Sequence, residues 1–363
     1  MAVDIIDNNQ AIGNVAGFLL NKGRFDVGTM RPWVGEDGKS YVTVYKGGDP
    51  KKPESYQAIP IQTNATLRRD EWKQLDEAVQ MAARSRLGGV QDLIDNGLVF
   101  NLNNGLGTTV LETHSLSDEL AAAVTMDGVT RSIQGRAEFK HTYLPLPIIH
   151  VDYEINARIL NASRSLGNPL DTTQAEMAAR RIMETIETML FTSYQYSFGE
   201  TDSNSRNSIY GFLNFPDRNQ VTLTKQWTAS NKTAAEILND VMNMKQALIN
   251  DKFFGPYILY VPTAYEVLLD KDYSSSYAGV TIRDRIKQIS GIKDVKVSDF
   301  LPAHNVILVQ MTSDVVRLVQ GMPIQNVEWQ QEGNMLTRYK VMTIQVPQIR
   351  SDYNGNCGIA HLA

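Results

Sequence analysis

The chain has 363 residues, 42% of them hydrophobic and 21% charged, a balance that suits a soluble protein with two or three packed regions. Its formal net charge of −5 and its lack of long basic runs argue against tight phosphate-mediated binding of nucleic acid. The single cysteine, Cys357, excludes an intrachain disulfide framework, and no apolar run approaches the roughly 18 residues that a membrane helix needs.

The opening segment Met1–Asp7 lacks the basic-then-apolar order of a signal peptide, so the chain is expected to be made and used in the cytoplasm. Residues 1–66 are punctuated by Gly and Pro and hold too few clustered apolar residues for a core of their own. Within them Tyr41–Tyr45 and Tyr56–Ile61 flank a Gly/Pro stretch and predict a hairpin on an arm that needs something to lie against. A helix follows over 67–87, with Trp72, Leu75 and Val79 at helical spacing and Gly88-Gly89 as its stop. Arg68, Arg69, Lys73, Arg84 and Arg86 lie between those apolar positions, and they form either a solvated face or a partner-facing one.

Residues 106–143 are poor in large apolar side chains and are centred on Asp127-Gly128, a strong hairpin-turn dipeptide. Arg131 and Arg136 lie on the returning side. The pattern predicts a long projecting hairpin, ordered only by a neighbour. Leu144–Tyr153 reads as a strand entered through prolines, and 154–166 as a short helix closed by Asn168-Pro169. The clearest helix covers about 173–197, with a Thr173-to-Glu176 capping box at its start and Gly199 past its end. At about 25 residues it would span roughly 38 Å, a spine rather than a local packing element.

Beyond it, 233–250 predicts a helix, Tyr257–Val261 a buried strand, and 263–269 and 281–289 two further helices. Residues 295–297, 306–309 and 315–319 predict strands, and two long alternating strands cover 324–331 and 336–346 around a Glu332–Asn334 turn. Cys357–Leu362 is one more candidate strand, in which Cys357 is either a small buried hydrophobe or a reactive thiol.

Catalytic signatures are missing. There is no Walker loop, no Gly-x-Gly-x-x-Gly fingerprint and no Gly-x-Ser-x-Gly elbow, and Gly105-Leu106-Gly107 opens the hairpin region rather than a helix. His114, His141, His150, His304 and His361 include no pair at the short spacing of a helix-borne metal site. The reading is therefore a non-enzyme with no cofactor and no metal.

The order of arm, helix, long hairpin, strand, spine helix, mixed region and returning strands resembles the tailed-phage major capsid and encapsulin fold, an α+β architecture. The detailed resemblance is to the encapsulin-like branch. It rests on Asp70-Glu71-Trp72-Lys73-Gln74-Leu75-Asp76, on Leu144-Pro145-Leu146, on Ile209-Tyr210-Gly211-Phe212-Leu213 and on Gly255-Pro256-Tyr257, and it covers about 64–363. The resemblance implies a division into an N-terminal arm (1–66), a peripheral helix region (67–105), an extended loop (106–143), a peripheral domain with the spine helix (144–199), an axial domain (200–322), returning peripheral strands (323–350) and an axial C-terminal strand (351–363).

What it implies for function is a major capsid protein that self-assembles into the icosahedral head shell around the double-stranded DNA of a tailed bacteriophage. The alternative is an encapsulin-type nanocompartment shell enclosing a cargo enzyme; the added arm resembles the phage case more. Expected partners are further copies of the chain as hexamers and pentamers, a separate scaffolding protein, a portal and, optionally, a decoration protein. DNA is expected to be enclosed but not gripped, no membrane is involved, and the expected location is the virion head, assembled in the host cytoplasm. Arg68, Arg69, Trp72, Asp127, Gly128, Arg131 and Arg136 are the candidate assembly residues.

Overall fold

The structure, a computed structural model, describes residues 31–35, 37, 39–45, 52, 56–61, 67, 69–84, 88–116, 139–158, 172–195, 208–273, 279–332 and 335–363. In chain order it begins with β1 (Trp33–Val34), β2 (Ser40–Tyr45) and β3 (Tyr56–Ile61). Then come α1 (Arg69–Arg84), α2 (Gly89–Asp95), β4 (Val99–Asn101), β5 (Val110–Leu116), β6 (Phe139–Pro145) and β7 (Ile149–Asn156). The long helix α3 (Thr173–Phe191) precedes β8 (Tyr194–Gln195), β9 (Ser208–Ile209), β10 (Asn219–Val221), α4 (Ala234–Asn250) and β11 (Tyr257–Pro262). A 3-10 turn leads into α5 (Glu266–Leu269), followed by α6 (Ile282–Lys287), β12 (Ile292–Ser298), β13 (Val306–Gln310), β14 (Val316–Glu332), β15 (Leu336–Ile349) and β16 (Ile359–Leu362).

Two larger sheets carry the molecule. One has the order β4-β14-β15-β7, the other β10-β16-β13-β11-β12. The first packs against α1 and α3. Ala175, Ala178 and Ala179 line the opening turns of the buried face of α3, where their small side chains allow close approach, and Ile182, Ile186, Met189 and Leu190 fill the rest. Leu75 and Val79 of α1 join the same core. Each large aliphatic side chain buried this way contributes about 1.5–3 kcal/mol.

The five-stranded sheet is apolar on both faces because it serves two cores. In β11 Ile258 and Tyr260 point into the core shared with α3, while Tyr257, Leu259 and Val261 point to a second core with α4 and α6. That alternation explains why β11 and β13 read as continuous apolar runs.

Several sequence expectations shift for identifiable reasons. The arm hairpin forms as expected, with Tyr45 opposite Tyr56 and Ser40 opposite Ile61. The helix expected over 154–166 does not start at 154, because β7 runs on to Asn156 and pairs Tyr153 with Tyr339 and Ile155 with Thr337. Stacking of the Tyr153 and Tyr339 rings at 5.4 Å and the full antiparallel ladder outweigh a short helix's local preference. The strands expected over 315–319 and 324–331 are one strand, β14, whose pairing with β15 shifts register between Gln320 and Met322 and twice more. At the first shift Gly321 meets Gly105: a Cβ on Gly105 would fall 2.0 Å from the Gly321 carbonyl oxygen. Gly105 thus serves a backbone crossing.

Helix α3 starts at Thr173 as expected but ends at Phe191, short of the expected 197. Its N-cap is Thr172 rather than Thr173, and the Thr172 hydroxyl donates to Glu176 Oε1 at 2.8 Å instead of capping the backbone. Its C-terminus lies at Phe191, where the amides of Phe212 and Leu213 donate to the carbonyls of Leu190 and Phe191 at 2.8 and 3.0 Å. The returning chain therefore supplies the C-cap. It can approach only through Gly211, where a Cβ would lie 1.6 Å from the Thr192 carbonyl oxygen. By contrast α4 and α6 open with complete capping boxes, Thr233 with Glu236 and Thr281 with Asp284.

Gly211→Ala is expected to destabilise the fold by about 1–3 kcal/mol, since the clash is with backbone that no rotamer change can relieve. Thermal melting checks this, and an unchanged midpoint would show that the segment at 209–213 repositions freely.

Candidate assembly surfaces

Three places in the fold stand out: two hold or present extended segments, and one is a buried polar junction. The first is the root of the arm. Trp72 of α1 is 5% exposed, and its indole N–H donates to the Pro32 carbonyl at 2.9 Å. The Arg31 guanidinium lies 4.7 Å from the Trp72 ring centroid and pairs with Asp76 at 2.6 Å. Trp33 stacks on Tyr41 at 5.2 Å and donates to Thr43 Oγ1 at 3.1 Å, and the Val34 amide donates to the Leu67 carbonyl at 3.2 Å. The arm, expected to need something to lie against, therefore has its root docked on α1 of the same chain. The sequence offered Trp72 as a helix landmark but gave no sign that Arg31 and Pro32 were its partners.

The second is the stem of the extended loop. β5 and β6 pair antiparallel from Val110 opposite Pro145 to Leu116 opposite Phe139, a ladder centred between residues 127 and 128. The turn itself, and with it Asp127, Gly128, Arg131 and Arg136, lies outside the described residues, as do Arg68 and the Arg69 side chain. One face of the stem is tied to the body: Gln348 Nε2 donates to Thr113 Oγ1 at 3.3 Å, and Thr113 and Thr142 share a hydroxyl hydrogen bond at 2.7 Å. The other face presents Val110, Glu112, His114, Phe139, His141 and Tyr143, all exposed, with Phe139 at 63% and Tyr143 at 66%.

A two-stranded ribbon is marginal alone in water, and among the described residues nothing covers this face. On that face the ladder also brings His114 opposite His141, with His141 Nδ1 2.7 Å from Glu112 Oε1. These three are a ligand-capable group among the described residues, with donor atoms within 4.8 Å of one another. Helical spacing rules do not see such a pair, because the partners are cross-strand.

The third is a buried polar junction. Glu187 of α3 accepts from the Gly89 and Val90 amides at 2.6 and 3.1 Å, holding the first turn of α2. Burial pushes the Glu187 carboxyl above its ordinary range, opposed by those amides. Asp92 of α2 accepts from the Tyr260 hydroxyl at 2.7 Å and pairs with Lys296. The Tyr260 hydroxyl is pushed well up, by burial first and Asp92 second. Elsewhere the Cys357 thiol is buried and pushed up to about 12 by desolvation, which makes it a packing residue.

The family model described as a family of unknown function (DUF6260) matches residues 62–362, so residues 1–61 of the arm lie before the match. No curated protein matches the sequence. Among solved structures the chain is similar to the virus-like particle from Pyrococcus furiosus, with TM-score 0.58 and 18% identity over 80% of this chain and 99% of that one. It is also similar to the capsid of Myoviridae phage XM1, with TM-score 0.57 and 11% identity over 77% and 92% of the two chains. The capsid of the native GTA particle gives TM-score 0.54 and 11% identity over 77% and 91%. At these identities the likeness establishes the fold: the α+β phage-capsid architecture that the ordered motifs resemble.

Trp72→Ala is expected to destabilise the subunit by about 3–5 kcal/mol and to release the arm root, while Trp72→Phe costs about 1 kcal/mol through the lost bond to Pro32. Thermal melting with limited proteolysis near residue 31 checks both. Equal melting points for wild type and Trp72→Ala would show that the root is not held there.

Proposed function

The chain belongs to the family of unknown function DUF6260, and we propose that it is a capsid-type shell subunit: a major capsid protein that builds the icosahedral head of a tailed bacteriophage around its double-stranded DNA. The observation that carries this reading is the loop stem, an ordered ribbon with one face anchored at home and an apolar face left open for a neighbouring copy. Closed shells repeat heterologous contacts of this kind. The likeness to the phage XM1 and GTA capsids supports the same reading.

In the proposed subunit the α3 spine with β14 and β15 forms the peripheral part, and the five-stranded sheet with α4 and α6 the axial part around the symmetry axes. Hexamers and pentamers form the wall, with a separate scaffolding protein and a portal. The net charge of −5 suits a wall that encloses DNA without gripping it. A second reading, a nanocompartment shell around a cargo enzyme, draws on the likeness to the Pyrococcus furiosus virus-like particle, which spans 99% of that chain.

Electron microscopy of native material is expected to show closed particles, filled with DNA on the first reading and with protein on the second. A monodisperse monomer that never assembles, even with scaffold supplied, would overturn both. Gly128→Val is expected to leave the subunit's melting temperature unchanged and to lower particle yield in sedimentation, because an Asp-Gly turn needs positive φ. Denaturing electrophoresis of mature particles is expected to give one band of single-chain size, without covalent cross-links. A boiling-resistant ladder would contradict that.

A further inference from the structure

The open face of the loop stem carries more than apolar side chains. His114 and His141 stand directly opposite each other across the ladder, with rings 4.5 Å apart and nearly perpendicular. Glu112 precedes His114 by two residues on the same strand and therefore projects from the same face. All three side chains are exposed, and their ligand-capable atoms fall within 4.8 Å of one another. We propose that Glu112, His114 and His141 bind a divalent transition-metal ion, zinc above all, clasping the two strands of the loop stem.

The chemistry of the donor set favours zinc. Two neutral imidazoles and one carboxylate form a three-ligand set that leaves a fourth tetrahedral position open. At zinc–ligand distances near 2.0–2.1 Å, tetrahedral donors lie about 3.3 Å apart, so donors already within 4.8 Å close by small side-chain rotations. Glu112 Oε1 and His141 Nδ1 are 2.7 Å apart, a contact in which a proton occupies the place a metal would take.

The strands beneath the site are fixed. The Thr113–Thr142 hydroxyl bond lies on the opposite face between the same two strands, and Gln348 ties Thr113 to the body. His114 and His141 lie on opposite sides of the loop, so one bound ion closes the loop at its base. The ring pair alone would hold the stem by packing, but packing does not account for a carboxylate placed against the imidazole nitrogen. The remaining histidines, His150, His304 and His361, lie on other elements. The proposal does not depend on whether the subunit forms a phage head or another shell.

The test is titration of chelator-treated full-length protein with zinc chloride by isothermal calorimetry. The comparison set is wild type, His114→Asn, His141→Asn, the double variant carrying both histidine changes, and Glu112→Gln. Wild type is expected to bind one ion per chain. Each histidine variant is expected to bind at least tenfold more weakly, and the glutamine variant to be weakened as well. Because these side chains are exposed, circular dichroism and melting in chelator should match wild type, which separates loss of the site from loss of the fold.

Zinc should raise the wild-type melting temperature and leave that of the double histidine variant unmoved. Cobalt chloride should give wild type the visible bands of a four-coordinate ion and the double variant none. Absence of zinc binding by wild type overturns the proposal. So does equal binding by the double histidine variant, which would place any ion on the other histidines. Particle formation is scored separately by sedimentation, so failure to assemble cannot be mistaken for failure to bind.

Discussion

Two hydrophobic cores share this subunit, and a seven-residue helix keeps them in register. Helix α2 cannot hold itself: at that length its unpaired terminal amides and carbonyls outnumber its internal bonds. Its amides are met by Glu187 from the spine helix, and its Asp92 meets Tyr260 and Lys296 from the five-stranded sheet. A carboxylate this deeply buried is costly unless its partners are complete. Leaving either backbone amide without an acceptor would cost about 1–3 kcal/mol. The two sheets thus meet through an apolar core that they share and through a polar joint that adds direction to it. A shell whose subunits must meet at defined angles gains from such a joint, since hydrogen bonds fix direction where hydrophobic contact does not.

The parts legible in the sequence were those governed by local periodicity. The helical repeat of α1, α3 and α4, the alternation of β14 and β15 and the arm hairpin all follow from residue spacing. What spacing alone does not reveal is which partner an end group finds. Thr173 and Glu176 match a capping box, yet the Thr172 hydroxyl takes Glu176 first. Thr233 with Glu236 carries the same pattern and does form the box, since no neighbouring hydroxyl competes for that glutamate's position. For Gly105 and Gly211 the cause, a backbone passing within contact distance, lies over two hundred residues away in one case and about twenty in the other, beyond the reach of local spacing. The Glu112, His114 and His141 group follows from hairpin register, which depends on a turn that the sequence does mark.

The arm and the loop stem solve the same problem differently. Both are extended ribbons that lack a core. The arm root borrows one from α1, through an indole that serves at once as apolar shelf, hydrogen-bond donor and cation-binding face. The stem borrows half of one from the body and leaves Phe139 and Tyr143 facing outward. Home anchoring would reduce the entropy to be overcome by any partner that completes the cover, because the strands are already paired. Contacts of that kind can be individually weak, and so reversible, while the repeated total remains large.

The order of strands in the five-stranded sheet has a consequence for synthesis. β16, the last of its strands in the chain, lies between β10 and β13, pairing parallel with one and antiparallel with the other. A nascent chain stalled or cleaved before residue 359 therefore leaves two unpaired strand edges in the middle of the sheet rather than at its rim. Such a chain resembles a finished subunit everywhere except along that seam, and open strand edges are what chaperones and proteases engage. The topology thus makes synthesis through residue 362 a condition for closing the sheet, so the sheet itself reports whether that stretch of chain has been made.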